Sequence, residues 1–319
     1  MLYKIFIDGE SGTTGLEIKQ RLSTHCGVEV ISIDQSLQKN TNERLKMFDK
    51  ADLVFLCLPD SSAKSIMEEV DTDTGVIDAS TAHRVDANWV YGLPELCRGQ
   101  RDKIRSSNRV ANPGCHATGF ILLIRPLVDA GYLSENALLN FHSLTGYSGG
   151  GKTMINSYEK AEYPADNLRA PRHYALTQMH KHLPEMQIQS GITTPPLFSP
   201  IVGNFYRGMH VTVPLHSRIL KKKTAPDELM DFYRARYKND SLISVKNVED
   251  VFCEGFVNAD GMAGNNGMEI TVCGNSERMM LMARYDNLGK GASGAAIQNM
   301  NIMLGFPESD GLQIKKDSE

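Results

Sequence analysis

Two stretches of the sequence carry residue types that could do chemistry. In "ANPGCHATG", Cys115 stands directly after an Asn-Pro-Gly turn and directly before an apolar run. Pro113 cannot extend a preceding strand ladder and Gly114 permits an unusual φ. The spacing therefore predicts a helix that starts at or just after Cys115, carries Phe120, Ile121, Ile124, Leu127 and Val128, and is kinked or interrupted at Pro126. A thiol in a first helical turn faces unpaired N–H groups and the positive end of the helix dipole, and both favour the reactive thiolate. The same N–H groups can hold an oxyanion when a thiolate adds to a carbonyl. The turn alone leaves two readings open, a nucleophile and a buried helix cysteine.

The second stretch, "HKHLPE", offers a base. In an extended segment His180 and His182 share a face, and a turn at Pro184 brings Glu185 back to orient an imidazole. The histidines could instead be a metal pair, but the chain offers no convincing third and fourth ligand. Cys115 as a ligand would be lost as a nucleophile. The plain alternative is two half-exposed strand histidines.

These groups must be held by elements. "YKIFIDG", "VEVISID" ending in Asp34, the doubly apolar "ADLVFLCLPD" and "GVIDAS" read as strands, and Ser61 or Ser62 caps a helix between the last two. Strands and helices alternating at this spacing argue for a doubly wound parallel sheet. After Cys115 the rhythm changes. "ALLNFHSLTGYSGGGK", "HYALTQMHKHLPEMQIQSG", "SPIVGNFYRGMHVTVPLHSRI" and "NGMEITVCGN" with "RMMLMARYDN" are strand-like, with "PDELMDFYRARYKN" as one clear helix. "DNLGKGASGAAIQNMNIML" returns to helical spacing with small residues. The pattern predicts an α/β doubly wound domain plus an inserted α+β domain. Residues 1–114 form the first, residues 115–286 the second, and residues 287–319 a helical segment that returns to the first.

The first strand runs into "DGESGTTG", a G-x-x-G-x-x-G pattern of Gly9, Gly12 and Gly15. Glycines permit a tight strand-to-helix turn and close approach of a pyrophosphate to a helix N-terminus, with Ser11, Thr13 and Thr14 adding hydroxyl donors. A tight βα turn without a ligand is the plain alternative, but this motif sits in the context that dinucleotide binding requires. Asp34 stands where an acidic residue binds the ribose hydroxyls of NAD, while Lys39 and Arg44 just beyond it could compensate for a 2′-phosphate. Both cofactors stay open on these residues.

The 319 residues, 41% hydrophobic and 23% charged with a formal net charge of −4, are ordinary for a globular protein and give no electrostatic case for nucleic acid or an anionic membrane. The basic "LKKKTAP" reads as a solvated loop. The N-terminus lacks the regions of a signal peptide and no run reaches membrane-span length, so a cytoplasmic protein is expected. The six cysteines contain no CxxC pair; all six are expected as reduced thiols, five of them as small packing residues.

"DGESGTTG", "ANPGCHATG", "TGYSGGGK", "HKHLPEM" and "DNLGKGASGAAIQNMN", in this order, resemble the N-acetyl-gamma-glutamyl-phosphate reductases in the shorter of their two sequence types. The resemblance covers nearly the whole chain and extends to a superfamily that includes aspartate-semialdehyde dehydrogenase. It implies an α/β Rossmann dinucleotide-binding domain plus an inserted α+β catalytic and dimerisation domain, with NADPH (NADP) as cofactor, a homo-oligomer (a dimer or tetramer), a small acyl-phosphate substrate and a site in the cleft between domains. Cys115 would be the nucleophile, forming a thioester, and His182 or His180 the acid/base, with Glu185 beside them. "DASTAHRVDANWVYGLPEL" resembles the family's arginine-bearing segment, so Arg84 is the candidate for a substrate carboxylate or phosphate. Ser148 to Gly151 would border the cleft, and Asn287 and Gly291 would close over the nicotinamide end. The longer family form has a His-Leu-Val-Pro segment where this chain reads "SPIVGNFYRGMH", so His210 and His216 are assigned to structure. Enzymes of the same mechanism acting on aspartate semialdehyde or N-acetyl-aminoadipyl phosphate are the nearest alternatives, and a dinucleotide-sensing regulator is the alternative outside enzymes.

Overall fold

The computed structural model describes residues 2–159 and 166–314. The chain divides into two compact units. The first runs up to Pro94 and takes in Arg98–Gly114 and Ala292–Leu312; the second comprises Glu95–Cys97, Cys115–Gly291 and the segment from Gln313.

The first unit opens with β1 (Tyr3–Asp8), α1 (Thr13–Leu22), β2 (Val28–Ile31), α2 (Thr41–Lys50), β3 (Leu53–Leu56), α3 (Asp60–Glu69), β4 (Gly75–Asp78), β5 (Val90–Tyr91), α4 (Gln100–Arg105) and β6 (Arg109–Ala111). The strands form one sheet in the order β2-β1-β3-β4-β6-β5, parallel throughout. Side-chain alternation along its strands feeds two cores. Ile5, Ile7, Leu53, Phe55 and Ile77 pack into one apolar cluster, and Phe6, Val54, Leu56 and Val76 into another with Phe48 and Ile66. This is why "LVFL" in β3 is buried at every position. Each such side chain contributes about 1.5–3 kcal/mol on burial.

Two local expectations shift. β2 stops at Ile31, and Asp34 instead caps a short 3₁₀ turn, its carboxylate accepting from the Ser36 N–H at 2.8 Å. An Asx cap competes with continued strand at such a residue. α3 begins at Asp60 rather than at a serine cap, because Pro59 fixes the entry φ at −58°. The Asp60 carboxylate reaches outward and accepts from the Thr81 N–H at 2.9 Å.

The second unit holds α5 (Cys115–Asp129), β7 (Asn140–Gly146), α6 (Gly151–Glu159), α7 (Asp166–Arg169), β8 (Arg172–His173), α8 (Leu183–Ser190), β9 (Leu197–Gly203), β10 (Met209–His216), α9 (Pro226–Tyr237), β11 (Ile243–Val245), α10 (Val248–Val251), β12 (Met268–Gly274) and β13 (Arg278–Tyr285). Its sheet runs β11-β12-β13-β10-β7-β9-β8 and is mixed, with β10 and β13 antiparallel along their full lengths and β7 and β9 parallel.

Pro126 does not break α5. A proline there removes the donor that Leu122 O would receive in an unbroken helix, and the Tyr237 hydroxyl of α9 supplies it at 2.6 Å. The Tyr233 hydroxyl donates to Leu123 O beside it. The helix continues to Asp129.

After β13, Asn287–Gly291 stay with the second unit, so the chain returns to the first at Ala292 and not at Asn287. The buried Asp286 carboxylate explains the delay: it accepts from the Leu288 and Gly289 N–H groups at 2.8 and 3.1 Å and binds the turn to β13. The last helix, α11 (Gly294–Leu304), joins the first unit. Its small Ala295 and Ala296 are fully buried, and its buried Asn299 spends its amide N–H groups on Gly92 O at 2.8 Å and Asn112 Oδ1 at 3.2 Å.

Candidate active site

Cys115 is the first residue of α5 and is half-buried. The helix is pinned at this end by Tyr285 of β13. The Tyr285 hydroxyl donates to Cys115 O at 2.6 Å and accepts from the Gly119 N–H at 3.2 Å, so it stands inside the first i→i+4 hydrogen bond of the helix. Gly119 makes the room, since a Cβ there would meet the Tyr285 oxygen at 2.7 Å. Gly291 arrives from the other side, where an added Cβ would lie 3.0 Å from Cys115 Cβ. The turn that delivers it is anchored by Asp286, which also pairs with Arg207 at 2.8 Å, and by Lys290, whose ammonium is wholly buried 2.8 Å from both oxygens of Glu95. The thiol thus has the first-turn N–H groups and positive helix end that favour thiolate.

The histidine segment is not extended. His182 occupies the N-cap position of α8 with helical backbone, and Pro184 lies in the first turn, where a proline costs nothing. A helix start nevertheless brings the groups together. The His180 and His182 rings are 4.7 Å apart in an edge-on contact, His180 Nδ1 accepts from the His182 N–H at 3.1 Å, and Glu185 lies 4.0 Å from His182 Nε2. His182 and Glu185 are buried, so their mutual attraction is little screened.

The residue that sequence reasoning missed is His116. Its ring lies 5.4 Å from that of His180 and 5.6 Å from that of His182, and its two nitrogens meet Ser143 Oγ and Tyr174 Oη, each at 2.6 Å. Burial, with the charge of His180 second, pushes its pKa down to about 3, so it is neutral at working pH. The only signal in the sequence was its place next to Cys115.

Other expected site residues lie as follows. Arg84, in the first unit, is buried and commits Nε to Asn112 O at 2.9 Å and Nη2 to Ala79 O at 3.1 Å. Ser148 is buried and accepts from Asn287 Nδ2 at 2.9 Å, while Asn287 Oδ1 accepts from the Gly208 N–H at 2.8 Å. Ser148 and Asn287 therefore brace one another within the second unit. His210 is pushed down to about 4 by burial, then by the charge of Arg284; His216 is exposed. Cys26 and Cys253 are exposed, which corrects the expectation that every cysteine but Cys115 is a packing residue. Among the described residues, no group of three or more His, Cys, Asp or Glu could hold a metal ion, and no helix is long and apolar enough to cross a membrane.

The glycine turn of the first unit forms a cradle that any side chain would fill. Gly9 has φ +90° and an added Cβ would meet Cys57 O at 2.5 Å; at Gly15 it would meet Gly9 O at 2.5 Å. Gly12 is the N-cap of α1 and provides no side-chain acceptor for the first-turn N–H groups. Thr13 and Thr14 are half-buried at this mouth and Ser11 is exposed. These residues fit a dinucleotide pyrophosphate. Beyond β1, Arg44 pairs with Asp8 at 2.5 Å and lines a hollow of about 340 Å³ with Thr41, Ser61, Ser62, Ser65 and Glu69. Asp34 turns its carboxylate onto Ser36, whose hydroxyl and N–H hold it below the usual aspartate range.

The family model for the semialdehyde dehydrogenase NAD binding domain matches residues 4–105, and that for the semialdehyde dehydrogenase dimerisation domain matches residues 115–287. The chain is 41% identical to N-acetyl-gamma-glutamyl-phosphate reductase 2 of a Nostoc species over 97% of this chain and 99% of the relative. It is 43% identical to the N-acetyl-gamma-glutamyl-phosphate reductase of Brucella ovis over 95% and 99%. Among solved structures, aspartate semialdehyde dehydrogenase II of Vibrio cholerae complexed with ASA superposes with a TM-score of 0.68 at 15% identity, covering 96% of this chain and 99% of that one. A probable aspartate-semialdehyde dehydrogenase of Pseudomonas aeruginosa gives 0.70 at 14%, covering 95% and 99%. At such identity the superpositions speak for the fold alone. With both domain models matched in order and full-length relatives above 40% identity, the chain belongs to the N-acetyl-gamma-glutamyl-phosphate reductase family of semialdehyde dehydrogenases.

Proposed function

We propose that the chain catalyses the NADPH-dependent reductive dephosphorylation of N-acetyl-L-glutamyl 5-phosphate to N-acetyl-L-glutamate 5-semialdehyde. The observation that carries this reading is Cys115 at the first turn of α5, clamped by Tyr285 and Gly291 in a chain whose relatives bear that activity in their names. The dimerisation-domain match supports a homo-oligomer, which we read as a dimer or tetramer working in the cytoplasm. For the cofactor, Asp34 is held in its own turn while Arg44 and four hydroxyl side chains line the neighbouring hollow, a setting suited to the extra phosphate of NADP.

The steps follow from the residues. His182 takes the Cys115 proton, and Glu185, 4.0 Å from its Nε2, stabilises the imidazolium. His180, whose Nδ1 is an acceptor for the His182 N–H, keeps its proton on Nε2 and is the donor to the substrate carbonyl oxygen. Cys115 sulfur attacks the acyl carbon, the bond to the phosphate oxygen breaks as His182 passes its proton to that oxygen, and inorganic phosphate leaves a thioester and a neutral His182. The nicotinamide cofactor, when bound, supplies the hydrogen and electron pair that reduce the thioester carbon. His182 then takes the hydroxyl proton of the hemithioacetal, the carbon–sulfur bond breaks, and the aldehyde and thiolate are released. Arg84, Ser148, Asn287 and Gly291 shape the substrate and nicotinamide positions, and Gly9, Ser11, Gly12, Thr13, Thr14 and Gly15 hold the pyrophosphate.

The test runs the reaction backwards. N-acetylglutamate semialdehyde, phosphate and NADP are supplied and NADPH absorbance is followed, with Cys115→Ser and aspartate semialdehyde as controls. Phosphate-dependent NADPH formation that vanishes in Cys115→Ser is expected. Turnover of aspartate semialdehyde alone would change the substrate, and tight NADP binding without turnover of either would leave a dinucleotide-sensing protein.

A further inference from the structure

His116, next to Cys115 in sequence, is the middle of a chain of three polar groups that the reaction steps above do not use, with Ser143 and His116 buried and Tyr174 half-buried. Ser143, on β7, is fully buried, and its hydroxyl has no hydrogen-bond partner among the described residues other than His116 Nδ1 at 2.6 Å. A buried hydroxyl proton left without an acceptor is costly, so Ser143 donates to Nδ1. His116 is neutral and has one ring proton. With Nδ1 accepting, that proton is on Nε2 and points at Tyr174 Oη, also at 2.6 Å. The phenol oxygen is then an acceptor from His116, and its own proton is directed elsewhere. A neutral imidazole between two hydroxyls thus fixes which way the phenol donates.

The backbone holds Tyr174 for this task. Its N–H bonds to Pro200 O at 3.2 Å. The following residues Ala175 and Gln178 have φ of +50° and +57°, a conformation that side-chain-bearing residues rarely adopt. Gln178 is clamped on both sides of its amide by the Phe198 backbone, at 2.8 and 2.9 Å. Strain of this kind persists only where the surroundings over-determine it, and it collects at functional sites. The Tyr174 ring lies 6.0 Å from that of His180 and 6.1 Å from that of His116, the residue that follows Cys115, so the phenol belongs to the side-chain cluster beside the thiol. In keeping with this, the charge of Cys115 is, after burial, a cause that raises the Tyr174 pKa.

We propose that Tyr174 is a further catalytic residue of the Cys115 centre, a hydrogen-bond donor to the anion held there, and that Ser143 and His116 are positioning residues that aim its proton. The inference rests on Cys115 being the reactive thiol, as in the function proposed above. The other titratable groups around this centre are His180, His182 and Glu185 from the α8 side and Tyr285 from β13, whose hydroxyl is committed to Cys115 O.

The test is the pH dependence of iodoacetamide alkylation of Cys115 in the full-length protein without substrate or cofactor. Peptide mass spectrometry follows the Cys115 peptide, because Cys26 and Cys253 are also exposed. Tyr174→Phe is expected to move the alkylation inflection to higher pH and to slow alkylation below it roughly tenfold, the size of one hydrogen bond to a charged group. Ser143→Ala is expected to move it the same way by less, and Ser143→Thr, which keeps the hydroxyl, to restore it. An unmoved inflection in a Tyr174→Phe protein that melts like the parent overturns the proposal. So does a Ser143→Thr shift as large as that of Ser143→Ala, and this pair decides the matter if Tyr174→Phe does not fold. Alkylation needs no turnover, so the reductase assay can fail while this readout stands.

Discussion

Gly291 and Cys115, 176 positions apart in sequence, meet so closely that a single added methyl on Gly291 would stand 3.0 Å from Cys115 Cβ and 3.2 Å from Asp286 O. Neither neighbour is a flexible side-chain tip, so the thiol or the turn must move. Gly291→Ala is therefore expected to lower kcat roughly tenfold or more through misplacement of the thiol. The protein should still fold and the KM for the acyl substrate should change little. Steady-state kinetics beside a thermal melt separates the two effects; an unchanged kcat would show that Cys115 tolerates the shift.

The glycine turn makes a contrast between two positions. Gly9→Ala combines φ +90° with a Cβ 2.5 Å from Cys57 O and should cost about 2 kcal/mol or more of stability. Gly12 has φ −71° and its nearest contact is Gly9 O at 3.4 Å, so Gly12→Ala should leave urea unfolding close to the parent while weakening NADP binding. Equal loss of stability in both variants would contradict this division.

Lys290 and Glu95 are both wholly buried and joined at 2.8 Å. Lys290→Met removes one partner and leaves a carboxylate in the interior, an expected loss of roughly 3–5 kcal/mol. Lys290→Met with Glu95→Leu should recover most of it, since no charge then remains unpaired. A double variant as unstable as the single one would mean that the pair itself, not the orphaned charge, holds the turn.

Acid sensitivity follows from two buried imidazoles. His116 and His210 are depressed from 6.5 to about 3 and about 4, in each case first by burial. Above pH 6.5 both are neutral folded or unfolded and their full contribution is present. As pH falls below that value the unfolded chain takes up the protons first, so stability is lost progressively toward pH 4 and below. His210→Gln should make the melting temperature fall less steeply between pH 6.5 and 4. A slope identical to the parent's would remove His210 from the account.

The sequence by itself determined the parallel first sheet, the glycine turn and the start of α5 at Cys115. Each rests on local rules: apolar strands buried on both faces, glycines where a Cβ collides, and a helix opened after Asn-Pro-Gly. It named His180, His182 and Glu185 together but gave them the wrong backbone, because a proline fits both a turn and a helix's first turn and eight residues are too few for a helical period to show. The tertiary structure alone decided how the thiol is held. Tyr285 enters the first turn of α5 from 170 residues away, Tyr237 replaces the donor lost at Pro126 from α9, and His116 becomes a neutral link because burial keeps it uncharged while Ser143 and Tyr174 reach its two nitrogens. Contacts between distant segments leave no period in the chain; they come into being when the sheet brings β7, β13 and α5 together.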